Sequence, residues 1–349
     1  MVDIAHIYNI QALKEVCKEY LTKNELAHDN IYPVGAAQVS PKKNPTLQPQ
    51  QIPHGLPKMC SDTAPLYLSP GQMLNGKFRM IGSGGFGQIY KATDEFLRVP
   101  VAIKVIPADH EPEQMVLEKE VLLSLQFKDH IPLMVACGTF NGLMYIVMVI
   151  LGPNLDELRR EFGSFTVSTV LRIGQQAIAG LKAVHDVGYL HRDVKPSNMC
   201  IGNEGDYGTI FIIDFGMTRQ YRDQSGEIRK ERAYAGFRGT MKYVSLTVHD
   251  RKEQGPGDDF ISLLYTLIEL CEGSLPWKYL TTEDKIAQKK RITTFEDMCK
   301  LFPLSFKPFY QHLEQLKYPQ LPDYNLLTQC LQKALPSNIS NESPFDWEI

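Results

Sequence analysis

Two short stretches of the sequence carry side chains suited to moving a phosphoryl group. His191–Asn198 (HRDVKPSN) contains Asp193, which can accept a proton from an attacking hydroxyl, and Lys195, a cation that can neutralise charge. The second stretch, Asp214–Gly216 (DFG), follows an apolar run that predicts a strand. Asn198 and Asp214 offer oxygens of the kind that Mg²⁺ prefers. Because phosphoryl transfer needs positioning, charge neutralisation and a metal clamp, this combination predicts a phosphotransferase.

A glycine-rich stretch further upstream supplies candidate contacts with phosphate groups. Phe78–Ile81 reads as a strand that runs into Gly82–Gly87 (GSGGFG), and Ile89–Ala92 reads as a strand leading out. Glycine lets backbone amides approach phosphates without a Cβ in the way. A dinucleotide-binding fold would place a helix directly after such a loop. Here a second strand follows, and then the strand Val101–Lys104, so the order favours a hairpin folded over the phosphates of ATP.

Lys104 ends an apolar strand, where an unpaired charge is costly, so it should have an acidic partner. The helix predicted over Glu113–Leu125 contains two candidates, Glu118 and Glu120. Glu118 lies four residues before Leu122 and shares its inward face, whereas Glu120 points elsewhere. Helical spacing therefore favours Glu118 as the partner of Lys104.

Longer elements must position these stretches. An amphipathic helix is predicted over Thr166–Val187 and ends at Gly188, which suits the left-handed conformation at a helix C-terminus. It leads almost directly into His191–Asn198. Leu143–Leu151 reads as a buried strand, and Phe260–Cys271 as an apolar helix that begins after Asp259.

Together these motifs resemble the catalytic and metal-binding loops of the eukaryotic protein kinase family, over roughly residues 70–335. The resemblance implies a two-lobed α+β fold, with a small lobe of strands plus one helix and a larger, mainly helical lobe. ATP and Mg²⁺ would lie between the lobes. Similarity to the casein kinase 1 superfamily rests on Arg232–Ser245, Asp258-Asp259 and Gly273–Trp277. The phrases at 128–130 (KDH), 236–240 (GFRGT) and 344–348 (PFDWE) resemble its tau-tubulin kinase branch.

The resemblance also implies roles for individual residues. Asp193 would accept the proton of a substrate serine or threonine, Lys195 would screen the moving charge, and Lys104 would position phosphates while braced by Glu118. Asn198 and Asp214 would hold the metal. Contacts with ATP are expected from Ile81, Gly82, Ser83, Gly84, Gly85, Phe86, Gly87, Ile89, Ala102, Lys104, Met148, Val149, Leu151 and Asp214. Three further residues should support the loop: His191 by packing beneath it, Asp259 by bracing its backbone, and Thr240 by contacting Asp193.

A basic segment over Met217–Tyr243 looks like an activation loop. The casein kinase 1 pattern places an anion-binding arginine where Lys242 stands here. With Arg238, Lys285, Lys289 and Lys290, Lys242 would form a site for an acidic or phosphorylated substrate. Lysine lacks the bidentate fork of arginine, so phosphate recognition would be weaker or different. If instead these charges are spread over the surface, they recognise nothing specific.

Two other classes of protein share parts of this pattern. A catalytically weak kinase-fold scaffold is the main alternative, but scaffolds usually lack a member of the set Asp193, Lys195, Asn198, Lys104 and Glu118, which is complete here. A small-molecule phosphotransferase would lack Lys195, Thr240 and the GSLPW phrase at Gly273–Trp277. The sequence therefore favours a serine/threonine kinase acting on proteins.

Composition bounds the remaining expectations. The formal net charge of −3 gives no general attraction to nucleic acid or to anionic membranes. The seven cysteines form no CxxC pair, and no secretion signal or membrane-spanning run is present, so a reducing cytoplasmic or nuclear location is expected. A monomer is also expected. We expect four regions: an amphipathic helix within 1–30 that packs on the protein's own surface, stays frayed or docks a partner, a proline-rich linker at 31–69, the kinase domain at 70–335 and a tail at 336–349.

Overall fold

The computed structural model describes residues 67–83, 88–108, 112–223, 225–340 and 342–349. Several expectations fall outside these residues. They are the amphipathic helix at 1–30, the linker as far as residue 66, and four members of the glycine-rich stretch, Gly84, Gly85, Phe86 and Gly87.

The first part of the described chain forms an antiparallel sheet. Within the described residues it has six strands in the order β1-β2-β3-β4-β6-β5. Their bounds are β1 Met73–Leu74, β2 Phe78–Ser83, β3 Ile89–Asp94, β4 Val99–Pro107, β5 Met134–Phe140 and β6 Leu143–Val149. In β4 the residues Val101, Ile103 and Val105 are buried, whereas Ala102 and Lys104 lie on the opposite face. Strand alternation thus separates the apolar side of β4 from the side that carries the lysine.

Among the described residues the small lobe has one helix, α1 (Pro112–Ser124), which packs against this sheet. Its buried residues are Met115, Glu118, Val121 and Leu122, which follow helical spacing along one face. Glu120 is exposed. The predicted helix and the inward direction of Glu118 are therefore confirmed.

After β6 the described chain is mainly helical. Its helices are α2 Leu155–Phe162, α3 Val167–Asp186, α4 Leu246–His249, α5 Pro256–Glu272, α6 Glu283–Ile292, α7 Phe295–Met298, α8 Lys307–Gln315 and α9 Tyr324–Ala334. The core of this lobe forms where α3 packs against α5 and α9. Helix α5 is buried on nearly all sides, as its apolar sequence predicts. Gly188 follows α3 with φ = 86°, which confirms the predicted left-handed position.

Two short strand pairs carry the stretches of chemical interest. β7 (Tyr189–Leu190) pairs with β10 (Arg219–Gln220), and β8 (Met199–Ile201) pairs with β9 (Ile210–Ile212). One-turn 3₁₀ helices at Pro196–Asn198 and Phe215–Met217 end the two motifs. The backbone N–H of Ile213 donates to Asn198 O at 3.0 Å, so His191–Asn198 and Asp214 lie side by side.

The residues after α9 return to the large lobe. Phe345 is buried, and Trp347 packs on Phe165 with a ring-centroid separation of 5.4 Å. The fold is thus the two-lobed α+β architecture that the sequence predicts, and residues 342–348 pack on its large lobe. None of the helices within the described ranges has the length and apolar character needed to span a bilayer.

Candidate active site

Lys104 projects from β4 into a pair of carboxylates. Its Nζ lies 2.7 Å from Glu118 Oε2 on α1 and 3.0 Å from Asp214 Oδ1. Burial alone would lower the pKa of Lys104, but the charges of Glu118 and Asp214 outweigh burial and raise the pKa above its ordinary value. The ammonium is therefore charged at neutral pH and joins three separate elements: the sheet, the helix and the DFG stretch.

Asp214 and Asn198 have the chemistry of metal ligands. Burial opposes ionisation of Asp214, but the charge and hydrogen bond of Lys104 hold its pKa below the ordinary value. Asn198 donates from Nδ2 to Asp193 O and Oδ2, which leaves its amide oxygen for another partner. An ionised carboxylate and an amide oxygen on neighbouring segments fit a hard divalent cation.

The backbone of Asp214 is held in an uncommon conformation. Its φ of 65° lies in the left-handed region, which carries a cost for any residue other than glycine. Such strain persists where the surroundings fix the residue, and it is concentrated at functional sites. The contact with Lys104 and the adjacent strand β9 supply that constraint.

Asp193 is buried and receives hydrogen bonds on both carboxylate oxygens. Thr240 Oγ1 donates to Oδ1 at 2.7 Å. Lys195 Nζ and Asn198 Nδ2 donate to Oδ2 at 2.6 Å and 3.1 Å. Lys195 also reaches Thr240 Oγ1 at 3.1 Å. These hydrogen bonds fix the carboxylate of Asp193 in one orientation, beside the hydroxyl of Thr240 and the ammonium of Lys195.

Asp259, near the start of α5, braces the loop that carries Asp193. Its carboxylate accepts the backbone N–H groups of His191 (2.8 Å) and Arg192 (2.7 Å) and a hydrogen bond from His185 (2.9 Å). Burial would raise the pKa of Asp259, but these partners hold it below the ordinary value. The imidazole of His191 is buried against Phe215 and faces Ile213 O, as expected for a packing role.

The sheet gathers the described members of the predicted adenine pocket on one face. Ala102 lies opposite Met148 in β6, and Lys104 lies opposite Ile89 in β3. Directly opposed residues share a face, so these four side chains line the same surface. Of the other predicted ATP contacts, Ile81, Gly82 and Ser83 end β2, and Leu151 follows β6. The N–H of Val149 donates to Leu133 O at 3.0 Å, so Val149 can offer adenine only its carbonyl group.

The expected substrate site around Lys242 is different in the structure. Lys242 Nζ forms an ion pair with Glu269, a buried carboxylate of α5 that also accepts from Tyr243 Oη at 2.6 Å. Lys290 is buried inside the lobe, whereas Lys285 is exposed. Lys242 and Lys290 therefore have partners within the protein, and their predicted part in an external anion site is wrong, whereas the parts of Arg238, Lys285 and Lys289 stay predictions.

Two carboxylates of this region, Glu269 and Glu253, were not predicted from the sequence. Glu269 stands in an apolar helix, where an ionisable residue signals an internal partner. Glu253 is buried between Arg219 (3.1 Å) and Arg232, which come from the start and the middle of the basic segment Met217–Tyr243. No local pattern around Glu253 indicates this contact, because both partners are distant in sequence.

Comparisons with known proteins agree with this geometry. The protein kinase domain model matches residues 76–343. A Dictyostelium discoideum protein named as a serine/threonine-protein kinase is 40% identical over 286 residues, which are 80% of this chain and 58% of that protein. Two Caenorhabditis elegans proteins match over 81% and 83% of this chain and 86% and 87% of their own lengths. One is named for casein kinase I and is 37% identical, and the other is named as a serine/threonine-protein kinase and is 33% identical.

The chain therefore belongs to the protein kinase family. Kinases of this family take ATP with a divalent metal ion and phosphorylate proteins, and two of the relatives are themselves named as serine/threonine-protein kinases. The chain spans 58% of the length of the Dictyostelium relative.

Proposed function

We propose that this protein transfers the γ-phosphate of magnesium-bound ATP to serine or threonine hydroxyls of protein substrates. The observation that carries the proposal is the fixed carboxylate of Asp193, whose two oxygens are held by Thr240, Lys195 and Asn198. A carboxylate oriented in this way can accept the proton of a hydroxyl as that hydroxyl attacks phosphorus. Lys195, 2.6 Å away, can neutralise charge on the transferring group.

The residues that would hold ATP and its metal lie around Lys104. Its ammonium would contact the α and β phosphates while Glu118 keeps it in place. Asn198 and Asp214 would hold Mg²⁺, which neutralises phosphate charge when it is bound. Ile89, Ala102 and Met148 provide the apolar side of the cleft, and the carbonyl of Val149 and the backbone of Leu151 would face adenine.

A phosphorylation assay on a degenerate peptide array tests this function directly. Purified protein with ATP and MgCl₂ should label peptides that contain serine or threonine, and omission of the metal should abolish labelling. Replacing serine and threonine in the best peptide by tyrosine or alanine should remove the signal. Binding of ATP without transfer to any peptide would favour a kinase-fold scaffold instead.

Within the kinases, we propose membership of the casein kinase 1 superfamily and of its tau-tubulin kinase branch. The relative named for casein kinase I supports the superfamily, as do the phrases at Arg232–Ser245 and Gly273–Trp277. The phrase PFDWE at 344–348 supports the branch. A peptide preference measured on the array, compared with that of a casein kinase 1, tests this placement.

A preference for acidic or phosphorylated substrates is also proposed, with arginines in place of the lysines. Burial and the nearby charge of Arg219 lower the pKa of Arg192 to about 10, and Arg238 and Arg232 act in the same direction. Glu253 pairs with Arg219 and Arg232, whereas Arg192 and Arg238 take part in none of the ion pairs that the structure describes. These two arginines leave the segment beside Asp193 locally positive in a chain of net charge −3, and phosphate groups favour arginine clusters. Arg238 is exposed and donates only to Phe237 O among the bonds that the structure describes.

The variant Arg238→Glu tests this preference. It should lower kcat/KM for acidic peptides more than for neutral peptides, and added salt should narrow the difference. Lys333→Glu makes the same charge change at an exposed position on α9 and should affect both peptide classes equally. Equal losses on acidic and neutral peptides with Arg238→Glu would contradict an acidic-substrate site.

A further inference from the structure

Lys290 is a buried lysine beneath the chain segment that follows the catalytic cluster. This residue of α6 is 5% exposed. Its Nζ donates to Met241 O at 2.8 Å and to Val244 O at 2.6 Å, and it lies 3.2 Å from His249 Nε2. We call Thr240–Ser245 the 240–245 segment.

The three partners of Lys290 match the three hydrogens of an ammonium group. His249 Nδ1 faces Glu283 Oε1 at 3.3 Å, so a neutral His249 can donate to Glu283 from Nδ1 and accept from Lys290 at Nε2. Burial and the positive charge of Lys290 both lower the pKa of His249, which agrees with a neutral ring. The Nζ also lies 5.2 Å and 5.3 Å from the ring centroids of Tyr265 and Trp277, positions that favour a cation.

The burial of this charge gives no evident gain in stability. Burial lowers the pKa of Lys290 to about 7, and no carboxylate among the described residues pairs with its Nζ. Replacing a buried charge by an apolar side chain of similar volume is often neutral or stabilising. We therefore look for the role of Lys290 in the backbone conformation that its hydrogen bonds to Met241 O and Val244 O hold in place.

The 240–245 segment has little regular structure of its own and depends on such contacts. Thr240 O accepts the N–H groups of Tyr243 (2.8 Å) and Val244 (3.1 Å). Side chains donate to three of the following carbonyls. Lys290 Nζ donates to Met241 O and Val244 O, and Trp277 Nε1 donates to Lys242 O at 2.8 Å. Thr240, at the start of the segment, is the residue that donates to Asp193.

We propose that Lys290 is a positioning residue for phosphoryl transfer. It fixes the 240–245 segment so that Thr240 stays on Asp193 and the acceptor hydroxyl of the substrate meets a correctly oriented carboxylate. The inference rests on the proposed kinase function. Because Lys290 lies beneath this segment and away from Lys104, its effect belongs to transfer onto the peptide and not to binding of ATP.

The variant Lys290→Met tests the inference, since Met is close in length and carries no charge or donor. We expect kcat for the best peptide to fall about tenfold to a hundredfold, the range that misplacement of reacting groups produces. The Kd for ATP and the slow hydrolysis of ATP without peptide should stay as in the wild type. Lys333→Met removes one exposed charge from α9 and should leave all three quantities unchanged.

The outcomes separate the inference from the proposed function. If the wild type labels no peptide, the proposed function fails. If the wild type is active and Lys290→Met keeps kcat within about twofold, or loses ATP hydrolysis in the same proportion as peptide transfer, the positioning role is overturned. If Lys290→Met does not fold, Trp277→Phe tests the same segment, because it removes the donor to Lys242 O and keeps an aromatic ring. A lower kcat for peptide with unchanged ATP binding supports the inference, and an unchanged kcat overturns it.

Discussion

At the scale of single residues, Asp193 is held so that each carboxylate oxygen has its own donors. Asp193→Asn keeps the size of the side chain and removes the proton acceptor. We expect normal folding, normal ATP binding and a loss of peptide phosphorylation of about 10²- to 10⁴-fold, the usual contribution of general acid–base catalysis. Each tenfold loss corresponds to about 1.4 kcal/mol of barrier.

The control for this substitution is Asp284→Asn, an exposed aspartate on α6. It should leave turnover unchanged. Wild-type turnover in Asp193→Asn, measured on the same peptide at saturating ATP, would show that another group accepts the proton.

Lys104 allows a second test at this scale, because its ammonium lies between two carboxylates and pairs with both. Lys104→Met would leave Glu118 and Asp214 without their shared cation. Removing one partner of a buried ion pair lowers the free energy of unfolding by about 3–5 kcal/mol. Because Asp214 is partly exposed, we expect the loss for this variant to be about 3 kcal/mol or less. We expect a lower melting temperature together with weaker ATP binding, measured by thermal unfolding with and without ATP.

The double variant Lys104→Met/Glu118→Gln serves as the comparison. It removes one of the two unpaired charges and should recover part of the lost stability without recovering ATP binding. If the single variant melts at the wild-type temperature, the pairing of Lys104 contributes nothing to the fold.

Residues whose environment follows from local periodicity could be predicted, and those whose environment is tertiary could not. Helical spacing was sufficient to choose Glu118 over Glu120, since both lie on one predicted helix. Lys242 and Lys290 were predicted to be surface charges, and each instead has internal partners. Glu269 and the carbonyls that these lysines bind become neighbours only when α5, α6 and the 240–245 segment pack together.

At the scale of elements, Glu283 joins the start of α6 to the residues around α4. Arg251 donates to both of its oxygens at 2.6 Å and 2.9 Å, and His249 lies 3.3 Å away. The hydrogen bonds from Arg251 are the main reason that the pKa of Glu283 falls from 4.5 to about 2. Because the folded-state pKa is the lower one, this stabilisation is fully present above pH 4.5 and is lost as the pH falls towards 2.

Glu283→Gln tests this pH dependence. The difference in the free energy of unfolding between wild type and Glu283→Gln should be constant from pH 7 to about pH 5 and should shrink at lower pH. Urea unfolding at several pH values measures it. Asp284→Asn, the neighbouring substitution, should show no comparable trend, and a difference that grew on acidification would contradict the assignment.

Elements were predictable where their own sequence is periodic or apolar. The predictions for β2, β3, β4, α1, α3 and α5 fall within a few residues of the observed bounds. The strands β7 and β10 are two residues long and were not predicted. Such short strands exist only through their pairing, which brings Tyr189 to Gln220 and leaves no periodicity in either segment.

At the scale of the whole molecule, residues 342–348 form a strap across the large lobe. Arg172 of α3 is buried and donates to Ser343 O and to Pro344 O (2.8 Å), with its guanidinium 3.8 Å from the ring centroid of Phe345. Asp346 accepts the N–H of Thr166 at 2.6 Å, and Trp347 Nε1 donates to Tyr207 O at 3.1 Å. The strap therefore covers the start of α3 and the β8–β9 hairpin.

Phe345→Ala should lower the free energy of unfolding by about 3 kcal/mol, because it removes a buried ring and uncovers Arg172. Chemical denaturation measures the change. Leu304→Ala truncates an apolar side chain that is 78% exposed and should change stability by less than about 0.5 kcal/mol. Equal stability of Phe345→Ala and wild type would mean that the strap adds nothing to the lobe.

The two-lobed fold was predictable because the motifs occur in an order that few topologies satisfy. The packing of residues 342–348 on the large lobe was not predictable in this way. A domain limit at residue 335 followed from the last periodic helix, whereas Phe345 and Trp347 pack from a segment without periodicity, against α3 and Phe165 far earlier in the chain. For residues 1–66 and for the loop at Gly84–Gly87, the sequence-based expectations stay predictions.

The strap has a consequence for the order in which the protein is made. Arg172 and Ser343 are separated by 171 positions. At the usual 5–20 residues per second of synthesis, roughly 10–30 s pass between the two. During that interval α3 can form, but the guanidinium of Arg172 lacks the carbonyl acceptors and the aromatic ring that the strap supplies. The large lobe should therefore stay partly open during synthesis until the phenylalanine and tryptophan of the strap have been added and can pack on it.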